Sequence, residues 1–212
     1  MKKLYVLLAL VISTTGMIAK AQNDPAAKKV LDNVSAKLKT FKGITANFSY
    51  TTKDKKNIQR GSVQGVINIK GQKYFIKQGT TEIYSDGTKS WNYNGESNEV
   101  TEADIDEDDS KTLTPQKLLS DFYDKDFTYK LVSSDGNYNE IEMEPTDKRK
   151  NFKQVTVYVD KTKMLITRAK VTDKSDNIIE FSLTKINTGA DIPDSKFIFD
   201  KSKHPGVEVV SQ

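Results

Sequence analysis

From Ile44 onward the chain alternates between apolar and polar positions. Ile44, Ala46, Phe48 and Tyr50 are separated by polar residues, and Val63, Gly65, Ile67 and Ile69 repeat the pattern. Successive side chains of a strand point to opposite faces, so this period marks strands with one apolar face. Tyr74 and Ile76, then Glu82-Ile83-Tyr84, then Lys89 to Tyr93 continue the series, with Ser85-Asp86-Gly87 and Asn94-Gly95 as hairpin turns. A second series runs Phe127 to Val132, Tyr138 to Met143, Val155 to Val159, Leu165 to Val171 and Ile178 to Leu183. Asp135-Gly136, Asp160-Lys161 and Asp173 to Asn177 separate its members, and Val207 to Val210 reads as a last short strand.

Two stretches break the alternation. Asp24-Pro25 is a helix start, an N-cap residue followed by proline at the first helical position. Val30, Leu31, Val34, Leu38 and Phe41 then recur at helical spacing, which predicts one amphipathic helix ending near Gly43. Farther on, Glu102 to Asp109 is acidic, and Thr114-Pro115 opens a short helix carrying Leu118, Leu119 and Phe122. Most links between strands are short, so neighbours are expected to pair antiparallel. The predicted fold class is α+β: a large curved antiparallel sheet whose concave apolar face needs a cover, with the two helical elements available to supply it.

The front of the chain carries a different signal. Lys2 and Lys3 precede a largely apolar run from Leu4 to Ile18, and Ala19-Lys20-Ala21 is a small-x-small cleavage signature. This is the pattern of a secretory signal peptide over residues 1–21, leaving residues 22–212 as a single domain. Ser13, Thr14, Thr15 and Gly16 interrupt the run, which falls short of the roughly 20 apolar residues of a spanning helix. Cleavage changes the charge picture. The sequence has 33 basic and 29 acidic side chains, and losing Lys2, Lys3 and Lys20 leaves the domain nearly neutral. Affinity for nucleic acid is therefore not expected. With no cysteine, the chain cannot be lipid-anchored through one, and its fold depends on packing alone.

Catalytic chemistry is hard to find. His204 is the one histidine, in a Ser-Lys-His-Pro-Gly stretch expected to be a surface loop. One histidine and no cysteine exclude the common zinc constellations and cysteine–histidine nucleophiles. Ser182 and Lys185 have Ser-x-x-Lys spacing, which needs a helical turn, whereas this segment reads as a strand. Asp104, Asp106 and Asp108 have the early spacing of a calcium loop, but Asp109 stands at its glycine position and Pro115 at its twelfth. No cofactor or metal is expected, and an enzyme is not.

Ser85 to Thr101 reads SDGTKSWNYNGESNEVT. With Thr114-Pro115 and Leu118-Leu119, then Phe197-Ile198-Phe199 and Pro205-Gly206-Val207, it resembles the LolA family of periplasmic lipoprotein carriers, in order along nearly the whole domain. The resemblance implies an unclosed antiparallel barrel, a half-barrel lidded by helices around a hydrophobic cavity. It implies acylated lipoproteins as cargo, an inner-membrane lipoprotein-releasing transporter and an outer-membrane acceptor as partners, a periplasmic location and a monomer. On that basis Phe48, Tyr50, Ile67, Ile69, Tyr74, Ile76 and Met143 are expected to line the cavity, and Leu118, Leu119 and Phe122 to form a movable lid. Lys70 falls where the family has an arginine that bonds lid backbone, so it is the expected latch; Ile76 stands where a tryptophan is common. Trp91 and Tyr93 are expected to support their turn. The alternative is a lipid- or lipoprotein-sensing module of the same fold, which would be expected to carry a second domain or a membrane segment.

Overall fold

A computed structural model of the chain describes residues 23–105 and 123–211. Helix α1 (Pro25–Leu38) starts as its sequence predicts: the Asp24 carboxylate accepts from the Ala26 amide at 2.8 Å, and proline takes the first turn. It stops at Leu38, short of Gly43, and the last apolar residue of the predicted stripe, Phe41, lies in the turn beyond it. Its buried side is Ala27, Leu31 and Val34, each Val or Leu contributing about 1.5–3 kcal/mol through burial.

Among the described residues twelve strands form one sheet. They are β1 (Ile44–Lys53), β2 (Gln59–Lys70), β3 (Lys73–Gln78), β4 (Thr81–Ser85), β5 (Lys89–Asn94), β6 (Glu99–Asp104), β7 (Phe127–Ser133), β8 (Tyr138–Pro145), β9 (Phe152–Asp160), β10 (Leu165–Asp173), β11 (Ile178–Asn187) and β12 (Glu208–Ser211). A one-turn helix, α2 (Tyr123–Asp126), leads into β7. The sheet order is β12-β6-β5-β4-β3-β2-β1-β11-β10-β9-β8-β7. Two antiparallel meanders, β1 to β6 and β7 to β11, are thus joined where β1 pairs with β11, and the sheet stays open rather than closing into a barrel.

The last strand departs from the all-antiparallel expectation. After β11 the chain crosses one face of the sheet through a 3-10 turn at Asp194–Phe197, packing on β3 and β4. It then lays β12 parallel to β6, with Val209 opposite Val100. A crossing connection of this length permits parallel pairing, which a hairpin does not.

Cross-strand register assigns the two faces. Phe48 opposes Gly65 and Leu183, Ile67 opposes Ile76, and Ile69 opposes Tyr74, so these side chains share the inner face with α1. The residues between them face outward, including Phe75, Tyr84, Trp91 and Tyr93. The C-terminal crossing covers part of that outer face: Ile192 and Phe197 bury Phe75, while Val207 and Phe199 pack on Trp91, Val100 and Tyr93.

Candidate functional site

The inner face divides into two apolar regions. Under α1, Leu31 and Val34 pack on Phe127, Tyr129, Ile141, Met143, Val155 and Val157, all buried. Beside it, on the β1–β4 half, lie Ile44, Ala46, Phe48, Ile67, Ile69 and Tyr74, flanked by the partly exposed Tyr50, Ile76, Ile83, Leu183 and Ile186. Leu38 and Phe181 touch both regions, so the apolar surface is continuous. The Phe48 ring stacks between Tyr50 at 6.5 Å and Phe181 at 6.1 Å.

Six of the seven expected cavity residues therefore converge on the β1–β4 half of the inner face: Phe48, Ile67, Ile69 and Tyr74 buried, Tyr50 and Ile76 partly exposed. Met143 is on the same face but in the other region, 2 % exposed beneath the helix, where it is core. The pattern missed Ile83, Phe181, Leu183 and Ile186 as neighbours of the six. The alternation Ile179, Phe181, Leu183 carried that signal, but only the β1–β11 pairing brings it beside Phe48. The expected lid residues Leu118, Leu119 and Phe122 lie outside the described residues.

The apolar surface ends toward β5 and β6, where Ser90, Asn92, Thr101 and Ala103 occupy the inner positions. Its border is Ser85, fully buried and opposite Tyr74. Burial pushes the Tyr74 phenol above its ordinary value, with its Ser85 hydrogen bond acting the other way. The ring thus stays neutral and fit for an apolar wall.

Lys70 is placed differently from the expected lid latch. It follows Ile69 at the end of β2, so it points to the outer face. Its ammonium donates to the Ile192 carbonyl at 3.0 Å and to Asp194 Oδ1 at 2.9 Å, while Lys73 holds Asp194 Oδ2 at 2.8 Å. Among the described residues Lys70 therefore fastens the C-terminal crossing, not a helix over the inner face. These two lysines hold the Asp194 carboxyl down at about 2. The physical reason is parity: a side chain next to an inward-facing Ile69 faces outward.

The remaining chemical candidates sit on the outer face. Ser182 is spent in a hydroxyl pair with Ser49 at 2.9 Å, and Lys185 is exposed at a β-bulge with φ 50°. His204 is not a bare loop residue, since its ring lies 4.2 Å from Tyr93 and 4.7 Å from Phe199. Trp91 donates from Nε1 to Glu102 at 2.9 Å and packs with Val100, supporting its hairpin. Asp106, Asp108 and Asp109 lie outside the described residues, and among the described ones no three His, Cys, Asp or Glu side chains gather as a metal site. The arrangement can bind apolar matter, through the continuous inner-face surface.

Comparison with solved structures shows the same fold in an uncharacterised conserved protein from Thermus thermophilus, with TM-score 0.60, 9% identity, and 88% of this chain and 99% of that one covered. MucB matches with TM-score 0.53 at 12% identity, over 88% of this chain and 66% of MucB. A LolA superfamily protein from Nitrosomonas europaea aligns with TM-score 0.49 at 13% identity, covering 82% of this chain and 98% of that one. No curated protein matches. The sequence model of the outer membrane lipoprotein carrier protein LolA matches residues 39–200, most of the chain. With that match and the open sheet it accompanies, the chain belongs to the LolA family.

Proposed function

We propose that the chain is a periplasmic carrier that holds the acyl chains of lipoproteins against its inner face and ferries them from the inner to the outer membrane. The observation that carries the proposal is the apolar surface of β1 to β4 and β11, continuous with the core yet left partly exposed at Tyr50, Ile76, Ile83 and Leu183. A surface of that kind on a rigid sheet is suited to a flexible hydrocarbon, because each buried CH₂ contributes about 0.8 kcal/mol and no directional contact is needed. Release of a lipoprotein anchor into water is correspondingly prohibitive, so a carrier must supply the apolar site itself.

In this reading residues 1–21 direct export and are removed, and residues 22–212 act as one domain. Phe48, Tyr50, Ile67, Ile69, Tyr74 and Ile76 line the cavity, and Leu118, Leu119 and Phe122 cover it. Capture is a population shift between covered and uncovered packings, driven by the better fit of acyl chains to the uncovered one. An inner-membrane releasing transporter loads the carrier and an outer-membrane acceptor empties it. Binding, not catalysis, is the activity.

The test incubates the exported protein with spheroplasts displaying a tagged lipoprotein, followed by gel filtration of the supernatant. Co-elution of the acylated cargo, and not of its non-acylated form, is the expected result. Ile76→Glu places a charge on the half-exposed rim and should abolish co-elution while leaving the far-ultraviolet circular dichroism unchanged. Equal capture of acylated and non-acylated cargo, or undiminished capture by Ile76→Glu, would overturn the cavity assignment. A lipid without protein attached would favour the sensing module.

A further inference from the structure

A second concavity lies on the opposite face of the sheet. It is a cleft of about 370 Å³ between the outer side of β3 and β4 and the C-terminal crossing, with Phe75, Tyr84, Pro193 and Ile198 as its apolar walls. Lys196 lines it as well. The Lys196 ammonium sits 3.7 Å from the centre of the Phe75 ring. Among the described residues it has neither a carboxylate within salt-bridge distance nor an acceptor for any of its N–H groups. The Phe75 ring face is thus its cation–π partner, and its N–H groups remain available to a ligand.

The other charged groups of the cleft do not supply the missing partner. Glu82 is occupied by Lys77 at 2.6 Å and by the Tyr84 hydroxyl at 2.5 Å. Asp200 is occupied by Lys203 at 3.2 Å and by Ser202. Three lysines therefore face two carboxylates, with the ring of His204 and the hydroxyl of Ser195 also on the lining. Loss of hydration pulls the Lys196 ammonium below its ordinary value, the Lys77 and Lys203 charges pull the same way, and Glu82 only partly offsets them.

We propose that this cleft is a binding site for a small organic anion, a carboxylate on a compact apolar body. The carboxylate would accept from Lys196 Nζ and supply the absent negative charge, and the body would rest on Tyr84, Pro193 and Ile198. An apolar wall with one unmatched cation favours this class over a fully hydrated inorganic anion, which gains the charge contact but not the burial. The site is separated from the inner face by the thickness of the sheet, and its ligand chemistry holds whether or not that face carries lipoproteins.

Benzoate is the probe, with acetate and inorganic phosphate as comparisons, added to the ¹⁵N-labelled exported protein and followed by amide and lysine-ammonium NMR. Benzoate should produce saturable shifts at Ser195, Lys196 and His204, raise the Lys196 pKa, and bind at least about tenfold more tightly than acetate or phosphate. Lys196→Gln should remove the saturation and leave the spectrum otherwise folded; Lys196→Arg should retain it. Equal saturation in Lys196→Gln overturns the proposal, as do benzoate shifts confined to the inner face around Phe48 and Ile67. Tighter binding of phosphate than of benzoate would overturn the assigned ligand class. If Lys196→Gln fails to fold, unchanged Lys196 titration in the original protein at saturating benzoate serves as the refuting result.

Discussion

Gly65 sits directly opposite Phe48 on the inner face, and the phenylalanine ring occupies the space a side chain there would need. A Cβ at Gly65 would lie 2.6 Å from the ring and 2.3 Å from the Lys77 carbonyl oxygen. The ring could turn away, but the carbonyl belongs to the β3 ladder and cannot. Gly65→Ala should therefore cost about 1–3 kcal/mol, the range for overpacking a filled site, measured as a lowered urea midpoint with unchanged slope. Full stability in Gly65→Ala would show that Phe48 is not held where the stack with Tyr50 and Phe181 places it. Asp194 offers a second test, through pH. Its two lysine partners depress its carboxyl from 3.8 to about 2, so the folded state binds this proton less readily than the unfolded chain does. The contribution is complete above the ordinary value and is lost as pH falls toward about 2. Asp194→Asn should flatten that part of the acid limb of the stability curve, read by denaturant titrations at stepped pH. As an exposed pair it is expected to give a small effect that fades with salt.

At the scale of elements, the edge strand β7 shows how the helix start protects the sheet. The Asp24 amide donates to the Tyr129 carbonyl at 3.1 Å, Asn23 Oδ1 accepts from the Tyr129 amide at 3.1 Å, and Asp24 Oδ2 accepts from the Leu131 amide at 2.9 Å. One carboxylate thus caps α1 and occupies an edge donor that would otherwise be open to strand pairing with another chain. These amide bonds, Leu131 first and Ala26 next, hold the Asp24 carboxyl below its ordinary value. Asp24→Ala should speed hydrogen exchange at both Leu131 and Ala26, whereas a cap that served the helix alone would leave Leu131 protected. Asp24-Pro25 was legible as a helix start because capping is a local rule. Its second duty was not, since Leu131 is 107 positions away along the chain. Lys70 illustrates the same divide. Its position after an inward Ile69 was legible, but its partner, the Ile192 carbonyl on the C-terminal crossing, depends on a segment that no local pattern points toward the sheet.

At the scale of the molecule, the described residues cover the two halves of the inner face differently. The β7–β10 half lies under α1 and α2 with its large side chains buried, while the β1–β4 half keeps Tyr50, Ile76 and Ile83 partly exposed. A fluorescent apolar dye should accordingly bind the folded protein with a stoichiometry near one, and Tyr50→Glu should remove that binding. Met143→Glu should instead prevent folding, because it would bury a charge in a region that is 2 % exposed. Retained dye binding in Tyr50→Glu would move the apolar site away from β1.

The sequence by itself determined most of the strands, which of their faces are apolar and where the helix begins; it missed β6, because the acidic run from Glu102 that reads as a break begins inside that strand. These follow from strand alternation, turn chemistry and capping, all of which act within a few residues. The shared inner face of Phe48, Tyr50, Ile67, Ile69, Tyr74 and Ile76 was legible for that reason, each lying on an alternating apolar pattern. Only the tertiary structure decided that β1 pairs with β11, bringing Phe181 and Leu183 beside Phe48. It also set β12 parallel to β6, gave Lys70 to the C-terminal crossing, and placed Met143 in the core cluster with α1 rather than on the β1–β4 half. Those outcomes depend on contacts between segments far apart in the chain, where many pairings satisfy the same local pattern and the packing of the whole sheet selects one.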